Sequence, residues 1–248
     1  MEVSGEVVAP GPHGRRRRSA SRLLRDLALI FIVAILVSFL IKTFVVRSFY
    51  IPSASMEQTL MIDDRILVDE ITPKISGIHR GDIVVFVDPG GWLVPQLTPF
   101  QASNPLTTAL TFIGLSAGDS NDHLIKRVIG LAGDHVSCCN ALGQMTVNGT
   151  PLKEPYLNLP PGQAEASLRP FSITVPKGSL WVMGDNRDNS ADSRAHLARP
   201  GSPYVPIENV VGKAFAITWP THRWSWLSSH PDSFAGVPPS QIESSTTH

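Results

Sequence analysis

The chain has 248 residues, 42% of them hydrophobic and 17% charged, with a net charge of zero at pH 7. That is enough polypeptide for one sizeable core or two modest ones once a membrane segment is set aside. The charge is unevenly spread. Arg15, Arg16, Arg17, Arg18, Arg22 and Arg25 crowd the first 26 positions against Glu2, Glu6 and Asp26, which leaves a mildly acidic remainder. A basic head of this kind could serve nucleic acid, but the apolar run beside it makes membrane orientation the better reading. No nucleic-acid partner is therefore expected.

Residues 27–46, "LALIFIVAILVSFLIKTFVV", are interrupted only by Lys42 and small hydroxyl residues. At 1.5 Å per residue this run is long enough to span a hydrocarbon core, and Lys42 lies near its end, where its stem can snorkel. A signal-peptide core is shorter, and Arg47 separates the run from the small-x-small triplet Ser53-Ala54-Ser55. The reading is a retained transmembrane helix over a cleaved signal. Residues 1–26 then form a cytoplasmic head, and residues 47–227 an extracytoplasmic domain of a protein in the cytoplasmic membrane.

Beyond the anchor, strand signals dominate. Residues 64–71, 81–88, 123–131, 133–139, 143–152, 171–185 and 210–219 are rich in β-branched residues and bounded by Gly, Pro or Asp. Asn148-Gly149 is a strong hairpin-turn signal. No later segment sustains a helical period, so the body is expected to be mainly β, with sheets packed or curled on themselves. Residues 89–122 and 157–166 look like loops or insertions. Residues 228–248 are of low complexity and are expected to be disordered. Just before them, "WPTHRWSWL" carries three Trp and a basic residue. It suits edge packing, and equally an amphipathic patch at a lipid surface. Cys138 and Cys139 are the only cysteines. Strand neighbours point to opposite faces, so two small buried residues or free thiols are expected, with a vicinal disulfide as the alternative. No zinc-type ligand spacing occurs.

Three stretches carry candidate chemistry. "GLSAG" (Gly114–Gly118) has the form of a nucleophile elbow around Ser116, with His123 and His135 downstream. That motif needs a strand–turn–helix on a parallel sheet, and the "DSNDH" that follows offers no helix. "MGDNRDNSADSR" (183–194) sets many polar groups at the end of an apolar strand, where Asp192 and Arg194 can pair and hold the loop in one shape. Lys126 lies in the aliphatic "HLIKRVIGL". On a strand it faces away from Arg127, so one of the two can enter the core while the other reaches solvent. A lysine in a strand is ordinarily an edge charge. Beside a serine, a desolvated amine with its pKa brought down by several units becomes a general base.

With these residues in view, "IPSASMEQTL", "RGDIVVF", "IKRVIGLAGD" and "GDNRDNSADSR" resemble, in order, the sequence boxes of bacterial type I signal peptidases. The basic head, the anchor and the β-rich body are similar as well, and "RWSWL" with the Cys pair resembles the actinobacterial members. The resemblance implies a catalytic body of antiparallel β-sheet or barrel, with a smaller β subdomain inserted at about 135–180. It implies Ser55 as nucleophile and Lys126 as general base. Ser53 would assist the oxyanion, Ser190 would orient the lysine amine, and Asp192 with Arg194 would form a supporting ion pair. Phe49, Ile51, Leu60 and Ile125 would line pockets for substrate residues P1 and P3. The substrates implied are the signal peptides of exported preproteins, cut after small-x-small sites, with membrane lipid as the second partner and no metal or organic cofactor. One departure is Gln58, where the family pattern carries Pro. Two readings of other classes remain beside this one: a hydrolase acting through Ser116, and an anchored scaffold without activity.

Overall fold

The computed structural model describes residues 20–44, 46–93, 122–198 and 202–240. The chain divides after Leu40 into a helical unit and a β-rich body. Ala20–Phe44 forms α1, of 25 residues. Its side chains are described from Leu23 to Val37, and every one of them is exposed. Counted over the residues so described, no helix is long and apolar enough to cross a membrane.

The body is built on an 8-stranded antiparallel sheet. Its strands are β1 (Val46–Tyr50), β2 (Arg65–Asp69), β3 (Ile83–Val87), β4 (His123–Gly130), β9 (Ser179–Met183), β10 (Val205–Pro206), β11 (Val210–Trp219) and β12 (Ser225–Trp226). The order is β1-β2-β11-β3-β4-β9-β10, with β12 paired to β11. That path has two free ends, so the described strands form an open sheet and not a closed barrel. A smaller antiparallel sheet lies between β4 and β9 in the chain, with β5 (His135–Cys138), β6 (Thr146–Val147), β7 (Thr150–Pro151) and β8 (Phe171–Thr174) in the order β7-β6-β5-β8. The β6–β7 turn is Asn148-Gly149, both at positive φ (51° and 80°), which is the geometry that makes Asn-Gly a hairpin signal. The run 171–185 is two strands, because Gly178 (φ +74°) turns the chain between them. β1 carries no clear strand signal, since its "VRSFY" continues directly from the apolar run.

Three apolar clusters fill the body. One joins Phe49, Ile51, Met56, Leu60, Ile66 and Ile125, a second lies between the two sheets around Trp181, and a third gathers Val84, Phe86 and Val128. With apolar groups on both faces of β4, the expected division between its two cations fails. Lys126 and Arg127 are both buried, 3% and 0% exposed, and neither reaches solvent. The second sheet and the 228–240 segment cover the side that the alternation argument left to water.

That segment departs from its expected disorder. Pro231–Phe234 forms a 3-10 turn. Phe234 and Val237 pack on the cluster around Trp181. The Pro238 carbonyl accepts from Arg80 Nη2 (3.3 Å) and Asn148 Nδ2 (3.1 Å), and the Gly236 carbonyl from Thr150 Oγ1 (3.3 Å). A polar, Pro-rich composition conceals these few anchors. Cys138 and Cys139 form a vicinal disulfide. β5 ends at Cys138, so strand alternation does not carry over to Cys139, and both sulfurs face the Ser167 carbonyl.

Deleting residues 231–248 strips cover from the second cluster. The expected loss is on the order of 2–4 kcal/mol, or roughly 5–10 °C in Tm. A thermal melt of the truncated chain in detergent checks this, and an unchanged Tm would show that the segment is not docked.

Candidate active site

The polypeptide leaving β1 turns sharply at a 3-10 turn, Ala54–Met56, which carries Ser55. Ser53 precedes it in extended conformation (φ −129°, ψ 153°). Met56 to Thr59 then form a type II β-turn, closed by Thr59 N–H on the Met56 carbonyl (3.1 Å), with Gln58 at φ +83°. Proline is fixed near φ −65°, so the residue the family pattern carries cannot adopt the backbone seen here. The Gln58 departure is therefore matched by a left-handed turn.

A second element clamps this turn. β9 ends in the loop Gly184–Ser190, whose Asn186 donates its N–H to the Ser55 carbonyl (3.1 Å) and its side-chain amide to the Ala54 carbonyl (3.1 Å). Thr59 Oγ1 donates to Asp185 (2.6 Å). Gly184 is required by close approach: a Cβ there would collide with Ser190 Oγ and with the Ser55 carbonyl oxygen.

Lys126 reaches this turn from β4. Its Nζ lies 2.7 Å from Ser55 Oγ and 2.9 Å from its own neighbour's carbonyl, that of Ile125. Burial drives the amine's pKa down to about 8 from 10.5, against the opposing pull of the Asp192 and Asp185 charges. Against an unshifted lysine this raises the neutral fraction at pH 7 about 300-fold, to roughly one molecule in ten. Ser55 is itself buried. Ser53 Oγ lies 3.3 Å from Ser55 Oγ on the more exposed side.

The two carboxylates that act on Lys126 are each tied to an arginine. Asp185 is gripped by Arg127 through Nε (2.9 Å) and Nη2 (2.7 Å). Asp192 is gripped by Arg194 in the same two-pronged way (2.9 and 2.7 Å) and accepts the Gly184 N–H (3.0 Å). Burial alone would push the Asp192 carboxyl up. Arg194, by hydrogen bond and charge, and the Gly184 N–H outweigh it and leave the pKa below the usual carboxylate range. Arg187 pairs with Glu154, and the Arg127 guanidinium stacks 4.1 Å from the Tyr156 ring centre. Ser190 Oγ sits beside this network, out of water and without a well-aligned partner among the described residues. The geometry does not bring it into a hydrogen bond with Lys126, whose partners are Ser55 and Ile125.

Phe49, Ile51, Leu60 and Ile125 are all buried in one cluster, with the Phe49 ring 5.3 Å from that of His123. His135 bonds Ser172 on the second sheet, away from the dyad. Ser116 and its "GLSAG" motif lie outside the described residues, and the described strands pair antiparallel throughout. Sequence reasoning missed Arg127, Asp185, Asn186, Thr59 and Glu154. The first four stand in the quoted motifs, where their signal was adjacency to Lys126, Ser55 or Asp192. Glu154 lies in a Pro-bounded stretch with no pattern to expose it.

A family model described as "Signal peptidase, peptidase S26" matches residues 24–219. The chain belongs to this family. A probable signal peptidase I of Mycobacterium leprae is 40% identical, over 92% of this chain and 86% of that protein. A signal peptidase I of Mycobacterium tuberculosis is 41% identical, over 83% and 76%. A signal peptidase I of Leptolyngbya laminosa is 35% identical, over 77% of each. Family membership makes the chain a signal peptidase I, a serine endopeptidase that removes signal peptides. The high mycobacterial identities agree with the actinobacterial resemblance of its motifs.

Gln58→Gly suits the turn and is expected to change stability by no more than about 1 kcal/mol. Gln58→Pro opposes the left-handed backbone and is expected to cost roughly 2–3 kcal/mol and to depress activity. Denaturant unfolding of the two variants checks this; equal stabilities would rule out the left-handed turn.

Proposed function

We propose that this chain is a membrane-anchored Ser/Lys endopeptidase that cuts exported preproteins after small-x-small sites on the extracytoplasmic side. The observation that carries the reading is the 2.7 Å contact between a buried lysine amine and Ser55 Oγ. Neutral Lys126 takes the Ser55 proton as Oγ attacks the scissile carbonyl, and then returns it to the departing amine. The Ser55 N–H and the Ser53 hydroxyl support the oxyanion, and water releases the acyl-enzyme. The Asp192–Arg194 pair braces the polar loop that holds the Ser55 turn, and Ser190 packs against that turn without bonding the lysine. Phe49, Ile51, Leu60 and Ile125, gathered beside the dyad, give the acyl side an apolar environment suited to small side chains.

Two features support the membrane setting. α1 presents large apolar side chains to its surroundings all round, from Leu23 (57% exposed) to Val37 (47%), as a helix meant for lipid does. On the body, Trp219, Trp224 and Trp226 are 54%, 61% and 69% exposed. They stand near Met61 and Ile62, whose loop is fastened to the Trp strand segment by Asp64 and Arg223 (2.8 Å). Exposed Trp beside a basic residue suits the headgroup region of a bilayer.

Ser55→Ala and Lys126→Ala are each expected to lower preprotein cleavage in detergent by about 10³-fold or more with the fold intact. Full activity in either variant would overturn the assignment. It would turn attention to Ser116 if Ser116→Ala were then inactive, or to a scaffold role if cleavage never depended on this chain. Because the neutral amine is the active form, kcat/KM is expected to rise about tenfold per pH unit well below pH 8 and to level off above it. A rate flat from pH 5 to 9 would rule out Lys126 as the base.

A further inference from the structure

A cavity of about 270 Å³ opens beside Ser190. Leu168 and Arg169 wall it from the loop before β8. Arg187, Asp188, Ser190, Arg194 and Ala195 wall it from the polar loop after β9. None of Phe49, Ile51, Leu60 and Ile125 takes part, so the apolar cluster beside the dyad and this cavity are separate places.

Their positions relative to the dyad differ in a way that matters chemically. Ser190 Oγ and the Ser55 carbonyl both crowd the single point where a Cβ on Gly184 would stand, so the cavity wall reaches the nucleophile's own backbone. The Asp192 charge, two residues from Ser190, is felt at Lys126. A peptide crossing Ser55 has an acyl side and an amine side, and the leaving amine must come within reach of Lys126 Nζ to take its proton. The apolar cluster suits the hydrophobic, small-residue end of a signal sequence. The cavity sets Arg169, Arg187, Asp188, Ser190 and Arg194 beside Leu168 and Ala195, and suits the mixed side chains at the start of the chain that follows.

We propose, resting on the endopeptidase reading above, that this cavity is the subsite for the first residues of the mature protein. Its size limit is set by Ala195 and Leu168, and its charge preference by Arg169. The arginines divide by role. Arg187 and Arg194 spend their donors on Glu154, Asp192, Ser167 and backbone carbonyls. Arg169 is exposed and forms no ion pair among the described residues, so it is the guanidinium left to meet an incoming side chain. The smaller sheet thereby contributes, through Leu168 and Arg169, one wall of the substrate path.

The test uses the full-length enzyme in detergent and preproteins identical up to the cut bond, with Ala, Leu or Trp as the first residue after it. Ala195→Trp narrows the cavity. It is expected to lower kcat/KM about tenfold for the Trp substrate and less than about twofold for the Ala substrate, with the preference for small residues before the bond unchanged. Leu168→Trp, at an exposed position that does not endanger folding, is expected to change the same ratio in the same direction. On a second pair of preproteins that differ only in Asp or Lys at the second mature residue, the enzyme is expected to favour Asp by a few-fold and Arg169→Glu to favour Lys; equal rates on the pair would overturn the role of Arg169. Uniform slowing across the set, no change in the ratios, or a change confined to residues before the bond would overturn the subsite. Cleavage that survives Ser55→Ala would instead overturn the endopeptidase reading, so the two failures are distinguishable.

Discussion

An amine held out of water against a serine hydroxyl is the constraint around which this body is arranged. In the proposed role of base Lys126 acts only while it is neutral, and burial in aliphatic surroundings is what favours that form. Yet the same neighbourhood holds two carboxylates, Asp185 and Asp192, whose charges pull the amine back toward protonation. Free carboxylates at those positions would undo much of the depression. Each is instead gripped by its own buried arginine, Arg127 or Arg194, with two parallel hydrogen bonds. The pairs keep the polar loop rigid while spending most of their field on each other. Arginine suits this task better than lysine because it stays charged under burial and matches a carboxylate fork for fork.

Such a network is costly if any member is left unpaired, so it must be closed on all sides. The smaller sheet and its loops close it. Glu154 receives Arg187, Ser167 Oγ receives Arg194 Nη1 (2.9 Å), and Tyr156 lies under Arg127. The 228–240 segment adds the Ser228 carbonyl to Arg127 (3.1 Å) and sets the His230 ring at a tilt against that of Tyr156. What looks in sequence like an insertion and a tail is, in energetic terms, part of the shell that makes a charged loop tolerable beside an uncharged lysine.

How much of this could be read in the sequence follows from the range of each interaction. The strands were legible because alternation and turn residues are local, as at Asn148-Gly149. The meeting of Ser55 with Lys126 and of Asp192 with Arg194 was legible because they lie in motifs whose order along the chain is itself informative. The burial of Arg127 was not, because strand alternation says which faces differ and not whether both are covered. Glu154 and the docked 228–240 segment were not, because their partners are tens of residues away and their own surroundings read as loop. The positive φ of Gln58 was signalled only as a missing proline.

The position of the Ser55 turn shows why those distant contacts matter. Ser55 sits on no regular element; its carbonyl, that of Ala54 and the Thr59 hydroxyl are all held by the loop after β9. Lys126, by contrast, is fixed by the ladder of β3 and β4. The 2.7 Å separation of the dyad therefore depends on a strand on one side and on a loop braced by ion pairs on the other. Displacement of that loop by about an ångström would leave the lysine buried and neutral but without its serine, because proton transfer falls away once the pair leaves hydrogen-bond reach. Electrostatics sets the protonation state of the amine, and the braced loop sets whether that amine meets Ser55.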